Sequence, residues 1–406
     1  MKITGIVAEY NPFHNGHEYQ LKKTRELSSA DGIAVVMSGN YVQRGEPAII
    51  DKFKRAEAAI YGGADIVIEL PLPFSCQNAE MFASAAIREL KKLPVNSLSF
   101  GCESTNIKLL KEIAAIQLNN DFNEKIKEEI KKGLSYPRAL ANTIRSCLGE
   151  EAFIAASSPN NVLAVEYIKS IMKNKLNWDF IPVKRMGKAH NDISSDGCYD
   201  SATAIRKAIL NSEKIISVPA KSREMLNEFY EEQGSFNSFN NYYEFLMYKI
   251  IELGPSGLNN IYEVSEGLNN KIYSNVFKYD NIDDYCMSLK SKRYTYSRLR
   301  RMLLNILLGI TKNDIKYFMS SNENNYIKVL AFNDTGRQII KMVDKKYTSV
   351  INRFSDYKKY NINAEELKNF KLTDKATNMY YIPLKYRKLN NEYLSNARYI
   401  KYSPLS

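Results

Sequence analysis

The feature that most constrains the fold is the regular alternation of short apolar runs with helical patterns over the first hundred residues. The runs that read as buried strands cover residues 3–8, 32–37, 64–70 and 97–101. The segments with helical periodicity between them cover residues 17–27, 53–61 and 79–93. Apolar strands joined by helices form parallel sheets that are covered by helices on both faces. The sequence therefore predicts an α/β domain with a Rossmann-like parallel sheet.

The same pattern predicts where this domain ends. A helix over residues 160–173, a strand over 180–183 and a helix over 202–210 follow the first hundred residues. We therefore expect the α/β domain to cover residues 1–210. A chain of 406 residues is longer than one core usually supports. Residues 211–406 are expected to form a second, mainly helical region, which includes a helix over 298–308 and a strand over 326–332.

Charge divides the chain in a similar way. The whole sequence has 57 Lys and Arg against 45 Asp and Glu. Residues 1–200 carry 25 basic against 24 acidic residues, whereas residues 288–406 carry 24 against 9. This asymmetry favours a polyanion partner for the last third of the chain, although a basic surface can also serve solubility alone. The densest patch combines Tyr294 and Tyr296 with the predicted RNA-contacting residues Lys290, Lys292, Arg293, Arg298, Arg300 and Arg301. The alternative is a solvated helix start.

Several protein classes are disfavoured by the sequence. The longest strongly apolar stretch, residues 303–310, is far shorter than the roughly 20 residues of a membrane span. Residues 1–10 do not resemble a signal peptide. The five Cys have neither the spacing of a disulfide framework nor that of a zinc site. A cytoplasmic protein without a membrane span is therefore expected, and nothing in the sequence indicates a protein partner.

The strongest chemical signal is the segment from Asn11 to His17, which follows the first predicted strand and begins the first helix. It holds two of the three His of the chain, His14 and His17, separated by Asn15 and Gly16. Free N–H groups at a helix start, together with two imidazoles on neighbouring helix positions, form a cradle that suits a triphosphate. The alternatives are that both His only cap the helix, or that they bind zinc, for which no third ligand lies at suitable spacing. No metal-binding residue is predicted.

Two further segments are expected at the same site. Ser201, Thr203 and Arg206 begin a later helix with phosphate-binding side chains, although alone they indicate only a helix cap. The polar loop over residues 38–47 is longer than most connections between a strand and a helix. We interpret it as a substrate-handling loop rather than a plain connection, with the candidate residues Asn40, Gln43, Arg44 and Glu46.

These segments carry a resemblance to a known family. The sequences GIVAEYNPFHNGH, SGNYVQRGEPAIIDK, SPNN, SATAIR and KRYTYSRLRR together resemble the bacterial tRNA(Met) cytidine acetate ligases, within the H-x-G-H nucleotidyltransferase superfamily. The resemblance is clear over residues 1–310 and looser beyond. It implies an enzyme that activates acetate with ATP and transfers the acetyl group to N4 of the wobble cytidine of elongator tRNA(Met), which forms N4-acetylcytidine.

The resemblance also implies roles for individual residues. His14 and His17 would be catalytic, and Mg²⁺ would accompany ATP. The implied ATP-binding residues are Val7, Ala8, Glu9, Tyr10, Asn11, Pro12, Phe13, His14, Asn15, Gly16, His17, Glu18, Tyr19, Gln20, Gly101, Asn161, Arg185, Ser201, Thr203 and Arg206. Asn160 and Lys184 remain alternatives to Asn161 and Arg185.

Two other functions remain open at the level of the sequence. A small-molecule adenylyltransferase of cofactor synthesis would share the nucleotide site, but the basic last third argues against it. A non-enzymatic RNA-binding protein with a relict nucleotide fold would share the basic region, but the presence of both His argues against it.

Overall fold

A mixed β-sheet that draws strands from both ends of the chain organises the computed structural model. The structure describes residues 1–185, 199–213, 215–265, 267–291, 294–320, 325–360, 363–387 and 391–401. Its strands are β1 Ile3–Ala8, β2 Gly32–Ser38, β3 Tyr41–Val42, β4 Glu46–Pro47, β5 Ile66–Leu70, β6 Ser97–Cys102, β7 Asp179–Lys184, β8 Tyr326–Phe332, β9 Ser349–Ile351 and β10 Arg398–Tyr399.

Helices connect and cover these strands. In the first half of the chain they are α1 Asn15–Ser28, α2 Lys52–Tyr61, α3 Ala79–Lys91, α4 Ile107–Ile116, α5 Asn120–Lys131, α6 Tyr136–Leu148, α7 Glu150–Ser157, α8 Pro159–Lys173 and α9 Ala202–Leu210. In the second half they are α10 Ala220–Gln233, α11 Tyr243–Leu258, α12 Leu268–Asn275, α13 Ile282–Leu289, α14 Tyr296–Leu308, α15 Lys312–Ser320, α16 Asp334–Met342 and α17 Ala364–Tyr381.

The parallel part of the sheet confirms the predicted α/β class. Its strand order is β5-β2-β1-β6-β7, and each neighbouring pair is parallel. Every residue of β2 and β5 is buried, as expected of strands that are covered on both faces. The chain runs from β1 outward in one direction through β5 and then returns to add β6 on the other side. Ligands of such sheets bind where the order reverses, beyond the carboxyl ends of β1 and β6.

The end of the chain returns to this sheet. β8 pairs antiparallel with β5, and β9 and β10 both pair parallel with β8. The predicted strand over residues 326–332 is confirmed, but it belongs to the same sheet as β1 rather than to a separate core. Most of the chain beyond residue 210 is nevertheless helical, as the sequence indicated. The division of the chain into two domains at residue 210 stays a prediction.

Helix α14 connects the helical region to the site described below. The side chain of Thr295 accepts a hydrogen bond from the Arg298 N–H and so begins the helix two residues before the predicted start. Gly309 ends it in the left-handed conformation, with φ 69°. The helix buries a stripe that includes Leu303 and Leu304. Its start carries Arg298, Arg300 and Arg301 of the predicted basic patch, and its backbone at Arg300 and Arg301 lies against Gly45 in the loop between β3 and β4.

Two properties concern the described residues as a whole. Among the helices in the ranges given above, none combines the length and the hydropathy that crossing a membrane requires. Within the same ranges, no group of three His, Cys, Asp or Glu side chains is placed to hold a metal ion. The cysteines at 76, 102, 147 and 286 are free thiols, and Cys198 lies outside the described residues.

Candidate active site

The turn between β1 and α1 is built partly from core residues. Tyr10 adopts a positive φ of 48° and is buried, and its ring contacts the ring of Phe13 edge to face. The ring of Phe13 lies against Gly62, where a Cβ would have no room. Both side chains therefore pack in the core and anchor the turn there. Tyr10 and Phe13 are both among the residues that the sequence predicts for ATP binding. Because their side chains are buried, they stabilise the conformation of the turn and are not exposed to a ligand.

His14 and His17 form a stacked pair on the first turn of α1, with ring centroids 3.7 Å apart. The Nδ1 atom of His14 accepts a hydrogen bond from the Gly16 N–H at 3.1 Å, and Nδ1 of His17 accepts one from the His14 N–H at 3.3 Å. A backbone amide can only donate, so Nδ1 of each ring carries no proton. A neutral imidazole must then carry its proton on Nε2. Both rings are thus oriented as Nε2–H donors.

The surroundings keep both imidazoles neutral. Burial, reinforced by the positive charges of Arg185 and Arg206, lowers the pKa of His14 to about 3. Burial also holds the pKa of His17 well below its ordinary value, and His14 and Arg185 add to the shift. At neutral pH the pair therefore offers two uncharged donors next to two guanidinium groups. This combination favours an anionic ligand without requiring a proton to be taken up first.

The neutral state of the pair is open to a direct test by nuclear magnetic resonance. We expect the Cε1–H resonances of His14 and His17 to stay flat between pH 5 and pH 8, with His14→Ala and His17→Ala used for assignment. Free histidine in the same buffer serves as the control and titrates near pH 6.5. A midpoint near 6.5 for either ring would contradict the arrangement. Because the folded pKa lies below the unfolded one, this pair should also make folding stability fall as pH drops below 6.5.

The backbone N–H groups at the start of α1 are not free, which corrects the cradle expected from the sequence. The Asn15 N–H donates to the carbonyl oxygen of Ser217 at 3.0 Å, and the Gly16 N–H donates to His14. An added Cβ at Gly16 would lie 2.9 Å from Cε1 of His14, so the glycine makes room for that imidazole. The donors available to an anion are therefore side chains. The contact with Ser217 could not be predicted from the sequence, because Ser217 lies 202 residues beyond Asn15.

The second predicted motif meets the first. Ser201 caps α9 by accepting a hydrogen bond from the Ala204 N–H at 3.2 Å. Arg206, one turn later, donates to the carbonyl oxygen of Asn11 at 2.9 Å and to the hydroxyl of Thr203 at 3.4 Å. The guanidinium group of Arg206 is thereby held on the turn that leads into α1. The structure brings the H-x-G-H and S-x-T-x-I-R segments together, as the sequence predicted.

The loop after β2 is attached to the same site. The Gln43 N–H donates to Oε1 of Glu9 at 2.6 Å, next to the end of β1. Burial raises the pKa of Glu9, while Arg44 opposes the shift. Arg44 itself is exposed. Asn40 is buried instead, and its side chain accepts a hydrogen bond from the Lys52 N–H at 3.0 Å, so it shapes the loop from within.

Glu46 links this loop to both halves of the protein. Its two oxygens pair with Arg206 and with Arg300, each at 2.9 Å. Arg300 also pairs with Asp283 at 2.7 Å. Gly45 has a φ of 77° and lies against the backbone of α14, where a Cβ would collide. The candidate substrate loop therefore contacts Arg206 of the candidate site on one side and helix α14 of the helical region on the other.

At the end of β6, the structure separates the two neighbouring Asn. Asn161 is buried, and its Oδ1 accepts the Glu103 N–H at 3.0 Å, so its amide is occupied by the protein. Asn160 is half-buried; its Oδ1 accepts a hydrogen bond from Arg185 at 2.8 Å, and its amide nitrogen donates to Glu103. A Cβ at Gly101 would meet only Arg185, at an ordinary contact distance of 3.5 Å. The assignment to ATP stays a prediction, but Asn160 is the Asn whose side chain contacts Arg185, the arginine implied for ATP binding.

The predicted RNA patch is less open than its sequence indicates. Arg300 and Arg301 have side chains only 13% and 10% exposed, and they face Glu46, Asp283 and Glu263. Arg298 is more exposed and lies over the ring of Tyr294 at 4.9 Å. Lys290 is exposed at the end of α13. Lys292 and Arg293 lie outside the described residues, and a role of the patch in RNA contact stays a prediction.

Comparisons with known proteins agree with this geometry. A family model described as HIGH Nucleotidyl Transferase matches residues 1–395. A tRNA(Met) cytidine acetate ligase of Clostridium perfringens is 37% identical over 97% of this chain and 98% of its own length. A protein of the same name from Clostridium novyi is 40% identical over 85% of this chain and 88% of its own.

Two solved structures have the same fold over nearly the whole chain. Apo TmcAL of Thermotoga maritima superposes with a TM-score of 0.92 at 33% identity and covers 99% of this chain and 100% of its own. Thermotoga maritima TmcAL bound with alpha-thio ATP superposes with a TM-score of 0.91 at 32% identity, with the same coverage. The strands, the turn and the late helix that form the candidate site thus belong to a fold that is known with an ATP analogue bound.

Proposed function

Because the chain belongs to the HIGH nucleotidyl transferase family and, within it, to the tRNA(Met) cytidine acetate ligases, we propose that it is an ATP-dependent ligase that joins acetate to this tRNA. Acetate and ATP first form acetyl-adenylate and pyrophosphate. The acetyl group then passes to N4 of the wobble cytidine of elongator tRNA(Met), and AMP is released. The product is N4-acetylcytidine.

The observation that carries this proposal is the stacked imidazole pair, fixed as two Nε2–H donors beside Arg185 and Arg206. In the first step a carboxylate oxygen of acetate attacks the α-phosphorus, and the bond to the pyrophosphate oxygen breaks. Negative charge then grows on the phosphate oxygens. Donors that are already oriented stabilise this charge without reorganising, so no nucleophilic side chain is needed.

Mg²⁺ fits this site as a companion of the nucleotide. It is usually held by phosphate oxygens, water and one or two carboxylates rather than by a cage of protein ligands. Glu9 would be a protein ligand of the ion through the oxygen that does not accept the Gln43 N–H, whereas both oxygens of Glu46 are paired with Arg206 and Arg300. When bound, the ion would neutralise part of the triphosphate charge.

The second step requires the tRNA beside the adenylate. The cytidine amine attacks the acetyl carbonyl carbon, loses a proton and displaces AMP. We assign the tRNA backbone to the basic last third of the chain, with Lys290 and Arg298 as the contacts best supported by exposure. Lys292, Arg293, Arg300 and Arg301 complete the proposed patch. The last two are more deeply placed and would also orient the loop at Glu46.

The test follows both steps with the full chain. Pyrophosphate release should require acetate, and labelled acetate should appear in an elongator tRNA(Met) transcript as N4-acetylcytidine, identified by mass analysis of its nucleosides. A transcript in which the wobble cytidine is replaced by uridine is the matched control and should stay unlabelled. Equal pyrophosphate release with and without acetate would refute the ligase assignment.

A further inference from the structure

A second cavity lies away from the nucleotide site, on the part of the chain that returns to the sheet. Its volume is about 410 Å³, within the range of sites for small ligands, roughly 300–1,000 Å³. It is open to solvent on one side and is lined by α17, by the short helical turn Phe354–Lys359 and by the segment that contains Tyr393. None of its residues takes part in the chemistry proposed above.

Four aromatic rings line this cavity, and they contact one another in two pairs. The rings of Tyr357 and Phe370 are stacked with centroids 5.0 Å apart, and the ring of Phe354 meets that of Tyr393 edge to face at 4.9 Å. Phe354 and Phe370 are buried and form the base of the cluster. Tyr393 is 45% exposed and Tyr357 is partly exposed, so their faces remain accessible from the opening.

The face of α17 that lines the cavity is not that of a purely structural core. Positions at helical spacing from Leu367 to Met379 point to it, and four of them are polar: Lys371, Asp374, Lys375 and Asn378. Lys371 and Lys375 are exposed and Asp374 and Asn378 are half-buried, so this side of the helix presents charged and polar groups at the cavity. One oxygen of Asp374 is buried without a hydrogen-bond partner among the described residues. Such an oxygen lacks the N–H or O–H group that buried acceptors normally have.

The cavity and the histidine pair open at the same edge of the sheet. β8 runs antiparallel to β5, and Lys328 pairs with Glu69 at the carboxyl end of β5. The ammonium group of Lys328 also lies 5.0 Å from the ring centre of Phe354. Three strand spacings, roughly 15 Å, separate β1 from β8. A ligand in the cavity is therefore distinct from the base that would react at the histidine pair.

We propose that this cavity binds a second, unstacked nucleobase of the RNA substrate, one that carries an exocyclic amine. Aromatic side chains stack on bases that are splayed out of single-stranded RNA, and a carboxylate accepts a hydrogen bond from the amine of cytosine. Lys371, which is exposed at the rim, supplies positive charge for the phosphate of that nucleotide. The inference rests on the proposed function, because it takes RNA as the substrate.

The experiment compares Tyr357→Ala with Tyr357→Phe, which keeps the stacking ring. Loss of one base stack corresponds to a Kd for tRNA about 10- to 100-fold weaker, which we expect for Tyr357→Ala only. Acetate-dependent pyrophosphate release should remain at the wild-type rate in both variants, which shows that the fold and the nucleotide site are intact. An unchanged Kd in Tyr357→Ala, or an equal loss in both variants, would overturn the inference.

Asp374→Asn tests the proposed hydrogen bond between the Asp374 carboxylate and the amine of the base. The substitution keeps the size and shape of the side chain but removes its charge. Wild-type protein should bind an octacytidylate more tightly than an octauridylate, since uracil has a carbonyl where cytosine has its amine. The two oligonucleotides carry equal phosphate charge, so their ratio reports the base. We expect Asp374→Asn to narrow that ratio, and an unchanged ratio would refute the role of the carboxylate. Failure of the wild-type protein to acetylate tRNA would refute the proposed function. That result is distinguishable from a failure of the cavity proposal, in which acetylation occurs but the variants bind RNA like the wild type.

Discussion

His17→Ala is expected to form acetyl-adenylate at least about a hundredfold more slowly than the wild-type protein, the scale of deleting one preorganised donor. The reason is that the variant loses an Nε2–H group whose orientation is fixed by the hydrogen bond from the His14 N–H to the other ring nitrogen. Because this donor acts mainly on charge that develops in the transition state, kcat should fall while the KM for ATP changes little. Acetate-dependent exchange between ATP and labelled pyrophosphate measures both quantities.

His14→Ala should show a loss of similar size together with a small loss of stability. Its Nδ1 caps the first turn of α1, and removal of a cap costs about 1 kcal/mol. Lys23→Ala is the matched control, because Lys23 lies on the same helix, is 40% exposed and forms an ion pair with the nearby Glu26 at the surface. A His17→Ala rate within threefold of wild type, in a folded protein, would remove the imidazole from the proposed mechanism.

Strands β1, β2, β5 and β6 could be predicted because they are largely buried on both faces and therefore appear in the sequence as continuous apolar runs. β7 is only partly buried and was recognised from a shorter apolar run. The structure shifts their ends by two residues at most, for example from residue 64 to Ile66 at the start of β5. The contribution of β8 to the same sheet could not be predicted. Its segment was recognised as a strand, but its partner β5 lies more than 250 residues earlier, and no local pattern specifies such a pairing.

The candidate site also combines features that could be predicted from the sequence with features that could not. The stacking and capping of His14 and His17 depend on residues within three positions of each other, so the motif was visible in the sequence. The environment of Arg300 was not visible. The density of positive charge around it predicted RNA contact, but Glu46 and Asp283, which neutralise it, lie far away or in another helix. Sequence reports the charge of a side chain, whereas the fold decides which charges remain unpaired.

The largest effect on stability is expected from Glu392→Gln. Glu392 is fully buried and accepts hydrogen bonds from Lys52 and Lys328, which also pair with Glu69. The positive charges of the two ammonium groups therefore neutralise the negative charges of the two carboxylates inside the protein. Removal of one charge from such a buried network leaves another uncompensated, which costs about 3–5 kcal/mol. We expect the free energy of urea unfolding at pH 7 to fall by that amount.

The pH dependence identifies the cause of this loss. Burial alone would raise the pKa of Glu392, but Lys328 and Lys52 outweigh burial and lower it to about 2, against an ordinary value of 4.5. A carboxyl group whose pKa is lower in the folded state contributes stability above its unfolded pKa and loses it as pH falls towards the folded value. The difference between the wild-type protein and Glu392→Gln should therefore narrow as pH drops below 4.5.

Glu26→Gln is the matched control for this network, because Glu26 is 45% exposed and pairs with Lys23 at the surface. Solvent screens an exposed pair of this kind, so its removal should leave the urea midpoint nearly unchanged. Equal effects of the two substitutions would mean that Glu392 is not held in a buried network. Thr377 donates to Glu392 and accepts a hydrogen bond from Asn40, so the network that Glu392 completes also contacts the candidate substrate loop.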